Sequence, residues 1–192
     1  MSEHPSLRPV PIKTKGQCMC AKLRRWITYV RWWNVVDDWT YQLPNGGPKI
    51  VIPKDFLFDG ASIPKPLWFL LSPTGLLLIP GLIHDYAYRY DYLWAINDKG
   101  EAYQYQYGNG REYWDLLFKD VATEVNQLPA LNALAWFALV VGGKAAWNEN
   151  RLRNEADLVP NLPLAPDLMV PVASSVAATE TDSSAQQGGS DV

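Results

Sequence analysis

Two spacings of hydrophobic positions divide the chain. In the first third, aromatic and β-branched residues gather in short runs at 26–30 and 39–43, and again at 49–52 after the turn sequence Pro44-Asn45-Gly46-Gly47-Pro48. Runs of this kind bounded by Gly, Pro and Asn predict strands, the last two forming a hairpin. Pro53 ends that strand, and Gly60, Pro64 and Pro66 punctuate an irregular loop over 56–66. Helical spacing begins near Pro66 or Leu67, pauses at Ser72-Pro73-Thr74-Gly75 and resumes at Ile79-Pro80, where proline suits a first helical turn. A polar, tyrosine-rich stretch follows, in which 93–96, the turn signal Asn97-Asp98-Lys99-Gly100 and alternating Tyr103, Tyr105 and Tyr107 predict a small β-wing. A second helix is expected over about 111–126, with Trp114, Leu117, Phe118 and Val121 on one face, and a third over about 130–154, with a bend at Gly142-Gly143.

The expected fold is α+β: an N-terminal hairpin or small sheet on a three-helix core, with a β-wing and a disordered C-terminal tail. Residues 1–16, with Pro5, Pro9 and Pro11, read as an extended arm. Residues 17–157 form one domain, and 158–192, rich in Pro, Ala, Ser, Thr and Gln, form the tail. With 192 residues, 48% of them hydrophobic, the chain can build one substantial core. Between 125 and 143 there is no charge, but Asn126, Gln127, Pro129 and Asn132 cut the continuous apolar run below the roughly 20 residues a bilayer requires. The expectation is a buried core helix and no transmembrane span.

A net charge of −3 gives no general attraction to nucleic acid, despite a basic cluster at Lys22, Arg24, Arg25 and Arg31. Nine tryptophans and ten tyrosines suit a surface that meets sugar, lipid or protein as well as a core. Cys18 and Cys20, one residue apart, fit neither a CxxC redox pair nor a disulfide with each other, and no apolar signal-peptide core precedes them. There is no GxSxG elbow, P-loop, HExxH or CxxC sequence, and two histidines are too few for a metal-dependent HD phosphohydrolase.

Chemistry concentrates in Gly81-Leu82-Ile83-His84-Asp85-Tyr86-Ala87-Tyr88, which holds the only histidine besides His4. In a helix His84 and Tyr88 share a face, and Asp85 is turned about 100° away. Imidazole can take a proton near neutral pH, and a carboxylate on its second nitrogen fixes the tautomer. Asp115 on the next helix is the candidate partner if the two helices pack antiparallel. Asp120 is the weaker choice because it falls on another face. Asp85 would then be available to a hard cation such as Ca²⁺, with Asp59 and the Gly60 carbonyl as further ligands. A plainer reading of Asp59-Gly60-Ala61-Ser62 is a tight turn followed by a Ser62 helix cap, and a third makes Ser62 a nucleophile for His84. For the histidine, the plain alternative is a buried pair with Asp115 that locks two helices.

The order His84-Asp85-Tyr86-Ala87-Tyr88, then a β-wing, then Asp115-Leu116-Leu117-Phe118 resembles the two-helix core of phospholipase A2, and more closely the compact form in parvovirus capsid proteins. This resemblance implies water activation by His84, orientation of His84 by Asp115, support from Tyr88, and Ca²⁺ at Asp85. The glycine-rich calcium loop of that family has no close counterpart before His84. A second resemblance covers more of the chain, from about 39 to 147. Ile50-Val51-Ile52-Pro53, Phe58-Asp59-Gly60-Ala61-Ser62-Ile63-Pro64, Trp68, the His84 block and Asp115-x-x-Phe118 are similar to DUF1353, a family of bacteriophages and prophages with no established activity.

Together these readings give the expected function. It is a phage-encoded hydrolase acting on an ester of lipid or cell envelope, with phospholipid or envelope substrate and no nucleic acid partner. The alternative is a non-catalytic virion component of tail or baseplate, partnered by other phage structural proteins. The expected location is the host cytoplasm on synthesis, or the virion.

Overall fold

The computed structural model describes residues 4–11, 18, 32–58, 75–153 and 156–166. Among the described residues, seven short strands and three helices follow one another as β1 (Leu7–Pro9), β2 (Trp33–Val35), β3 (Trp39–Gln42), β4 (Lys49–Ile52), β5 (Leu57–Phe58), α1 (Leu78–Tyr90), β6 (Leu93–Ile96), β7 (Ala102–Tyr105), α2 (Arg111–Asn126) and α3 (Pro129–Arg151). The architecture is α+β, as the spacing predicts. The expected strand at 26–30, the helix start near 66–67 and the loop residues 59–66 lie outside the described residues.

The strands form two antiparallel sheets, β1-β2-β5 and β3-β4-β6-β7. In the larger sheet the predicted hairpin pairs Trp39 with Ile52 and Gln42 with Lys49 across the turn. The tyrosine-rich pair expected as a separate wing is the other half of this same sheet, because β6 pairs with β4, Val51 lying opposite Trp94. Composition hides this, since the polar turn 97–100 suggests exposure while Tyr92, Leu93, Trp94, Ala95 and Ala102 are all buried. Edge strand β3 alternates buried Trp39 and Tyr41 with more exposed Thr40 and Gln42, whereas central β4 buries Ile50, Val51 and Ile52 in succession. Part of the predicted N-terminal arm is ordered as well, with Leu7 opposite Val35 in the smaller sheet.

Helix α1 ends at Asp91, whose left-handed backbone (φ 60°) lets its N–H donate to the Ala87 carbonyl. The Asp91 side chain then ties down the start of α2: Oδ1 accepts from Gly110 N (3.1 Å) and Trp114 Nε1 (2.8 Å). At the opposite end, Asn126 Nδ2 donates to Leu76 O, and Leu77 packs with Phe118 and Ala122. As the chain advances along α1 its partners on α2 recede, so the two helices are antiparallel.

Helix α3 starts with Pro129 at its first turn and runs unbroken through Gly142 and Gly143. Contrary to the expectation of too short an apolar run, it is long and apolar enough to cross a membrane by length and composition, and only 17% of its apolar window is buried. The expected buried core helix is not what is found: only Asn132, Ala135 and Gly143 are buried, while Leu134, Phe137 and Val141 are exposed, because α3 packs on α1 and α2 through one narrow face. After α3 the chain returns to the sheet. Leu158 O accepts from Tyr86 Oη and Trp94 Nε1, Asn161 N donates to Asp38 Oδ2, and Ala165 N donates to Ala102 O. Leu158, Leu162 and Leu164 pack against the core, so 158–166, which composition places in the tail, is held in the fold.

Candidate functional site

The antiparallel packing brings His84, Tyr88 and Asp115 together. His84 and Tyr88 lie one turn apart on α1, with ring centroids 4.0 Å apart. The Asp115 carboxylate faces both from α2. His84 Nε2 is 3.0 Å from Asp115 Oδ1, and the Tyr88 hydroxyl donates to the same oxygen. A carboxylate only accepts, so the Nε2 proton is the one donated and Nδ1 keeps the lone pair. Phe118 meets the imidazole edge-on, at 5.5 Å between centroids, and fixes the ring plane.

The other carboxylate oxygen faces Arg111, four residues earlier on α2. Arg111 Nη1 lies 3.4 Å from Asp115 Oδ2 and donates a hydrogen bond to Val140 O on α3 at 2.9 Å. Asp115 is thus met directly from α1 and α2, and α3 enters only through the Val140 carbonyl that holds Arg111. Arg111 is absent from the sequence-based site, although its i,i+4 spacing from Asp115 is the signal that could have found it. Gly143 is a second omission. A Cβ there would stand 2.5 Å from the Tyr88 hydroxyl oxygen, so the close approach of α3 to Tyr88 requires glycine. Trp147, one turn on, meets the Tyr88 ring edge-on at 5.2 Å.

Electrostatically, His84 is held in its neutral form. Burial pushes its pKa below the ordinary 6.5, and the hydrogen bond and charge of Asp115 oppose this without overcoming it. Burial, reinforced by the Asp115 carboxylate, pushes the Tyr88 hydroxyl well above its ordinary range, so it stays a donor. His84 is 4% exposed and Asp115 1%. Asp85 is half-buried beside His84, and Asp120 is exposed and takes no part in the dyad. Asp59, Gly60 and Ser62 lie outside the described residues. Among the described residues no three His, Cys, Asp or Glu side chains come together to hold a metal ion.

With this geometry established, comparison with known proteins places the chain. Residues 33–139, more than half of its length, match the family described as Protein of unknown function (DUF1353), and the chain belongs to that family. The match contains β2 through the first half of α3 and every residue around Asp115 except Val140, Gly143 and Trp147. No curated protein and no solved structure matches it.

Proposed function

We propose that this protein is a phage-encoded hydrolase in which the His84–Asp115 dyad activates water against an ester of lipid or cell envelope. The observation that carries the reading is the 3.0 Å contact between His84 Nε2 and Asp115 Oδ1 across antiparallel helices, with the imidazole neutral and its Nδ1 lone pair unused by Asp115. In such a reaction Nδ1 takes a proton from water as the water oxygen bonds to the ester carbonyl carbon. Asp115 stabilises the imidazolium, and the same proton passes to the departing alkoxide as its bond to carbon breaks. Tyr88 and Arg111 act as positioning residues that hold the carboxylate in place. The resemblance to phospholipase A2 supports these roles and implies Ca²⁺ at Asp85. The described residues do not by themselves make a calcium site, and no step is routed through one.

The low exposure of His84 and Asp115 favours a second reading, a non-catalytic virion protein in which the pair locks α1 to α2. One experiment separates the two. Fatty acid release from mixed phospholipid micelles is measured for the purified protein and for His84→Gln, with Ca²⁺ and with EDTA. Gln can still donate to Asp115, so the fold is kept while the base is lost. The hydrolase reading expects release that falls by about 10²-fold or more in the variant. Equal rates in both proteins, or no release by the folded wild type, would remove that reading and favour the virion role.

A further inference from the structure

A second cluster lies at the far ends of α1 and α3. Arg89 and Tyr90 from the last turn of α1, and Asn150, Arg151, Arg153 and Asp157 from the end of α3 and the segment beyond it, line an open cleft of about 170 Å³. Two helix C-termini would ordinarily make such a place negative and repel anions. Here Arg151 removes that obstacle. Its Nη2 donates to the carbonyls of Tyr88 (2.6 Å) and Arg89 (2.7 Å), its Nη1 lies 3.7 Å from Asp91 Oδ2, and its guanidinium stacks 4.4 Å over Trp147.

With Arg151 occupied, Arg89 and Arg153 supply the cleft's positive charge. Arg89 stacks 4.8 Å over the Phe56 ring, which holds its guanidinium at the cleft wall. Neither Arg89 nor Arg153 has an ion pair among the described residues. Asp157 is the single carboxylate lining the cleft. The volume is below the roughly 300–1,000 Å³ of a pocket for a drug-sized ligand, which suits one compact charged group.

From this we infer that the cleft between the ends of α1 and α3 binds a phosphate group, held by Arg89 and Arg153. Paired planar guanidinium groups match phosphate oxygens in charge and geometry. The inference does not depend on the hydrolase reading, because it uses neither His84 nor Asp115.

The test is calorimetric titration of the full chain with inorganic phosphate at low ionic strength, beside sedimentation with phosphatidylcholine vesicles with and without phosphatidic acid. Arg153→Glu changes an exposed side chain outside any described ion pair. It is expected to weaken binding at least about tenfold. Asp157→Asn removes the opposing charge and is expected to strengthen it, so the two variants move in opposite directions. Binding of inorganic phosphate with that response assigns a soluble phosphate ligand. Binding only to vesicles containing phosphatidic acid, with the same response, assigns a lipid headgroup. No saturable binding of either probe, or binding that both variants leave unchanged, overturns the inference.

Discussion

Gly143→Ala tests how tightly α3 holds the Asp115 cluster. An alanine methyl at this position would sit 2.5 Å from the Tyr88 hydroxyl oxygen, 3.3 Å from Cζ and 3.4 Å from Cε1. A tyrosine tip could usually swing aside at little cost. Tyr88 cannot, because its ring is packed between His84 and Trp147 and its hydroxyl donates to Asp115. Overpacking costs about 1–3 kcal/mol, and weakening a hydrogen bond to a charged group about 1.5–3 kcal/mol. Replacing a helical glycine by alanine returns about 1 kcal/mol. These terms combine to about 1.5–5 kcal/mol, and a net destabilisation near the lower end, about 2 kcal/mol, is expected by urea denaturation. Gly142→Ala is the control, since a methyl there meets nothing within 4 Å, and it should stabilise by about 1 kcal/mol. In a Tyr88→Phe background the 2.5 Å contact with the hydroxyl oxygen disappears. Gly143→Ala should then become neutral or slightly stabilising, a coupling of about 2 kcal/mol. If Gly143→Ala costs the same in the Tyr88→Phe background as in the wild type, or costs nothing in the wild type, the reasoning is refuted.

Other consequences follow from the same contacts. Asp115→Ala strands the His84 Nε2 proton, the Tyr88 hydroxyl and Arg111, and should cost about 3–5 kcal/mol in thermal or chemical denaturation, with Asp115→Asn costing less. Because the folded-state pKa of His84 lies below 6.5, folded and unfolded chains bind equal protons at this site well above that value. As pH falls through 6.5 the unfolded chain binds a proton that the folded one refuses, so stability should decline, and His84→Gln should lessen that slope. Burial pushes the Tyr41 hydroxyl up to about 12 and those of Tyr86, Tyr88, Tyr92 and Tyr113 above their ordinary 10.0. Above about pH 10 the unfolded chain would release protons that the folded one keeps. Absorbance near 295 nm should therefore show delayed tyrosine ionisation that coincides with alkaline unfolding.

Much of this arrangement was legible in the sequence where one local rule governed it. The turn at 44–48 fixes the β3-β4 hairpin, and helical spacing places α2 over Arg111–Asn126. Antiparallel packing of α1 on α2 is the condition on which Asp115 is expected beside His84, and both are found. What could not be read depends on residues distant in the chain. The joining of β6 to β4 is set by buried contacts such as Val51 opposite Trp94, which the polar turn at 97–100 conceals. The docking of Leu158 on Tyr86 and Trp94 is likewise invisible to composition, since a proline-rich segment can be held by a few carbonyl contacts. Gly143 read as a bend in a helix, whereas its role is to admit Tyr88, a contact between residues far apart in sequence that no periodicity encodes.

Nitrogen-15 NMR of the imidazole of His84 through a pH titration tests most directly whether Asp115 holds it as a neutral base. An Nε2–H tautomer at neutral pH, protonation of Nδ1 only below pH 6.5, and disturbance of the tautomer in Asp115→Asn are expected. A proton on Nδ1 in the neutral ring, or an imidazole still charged at about pH 7, would contradict this.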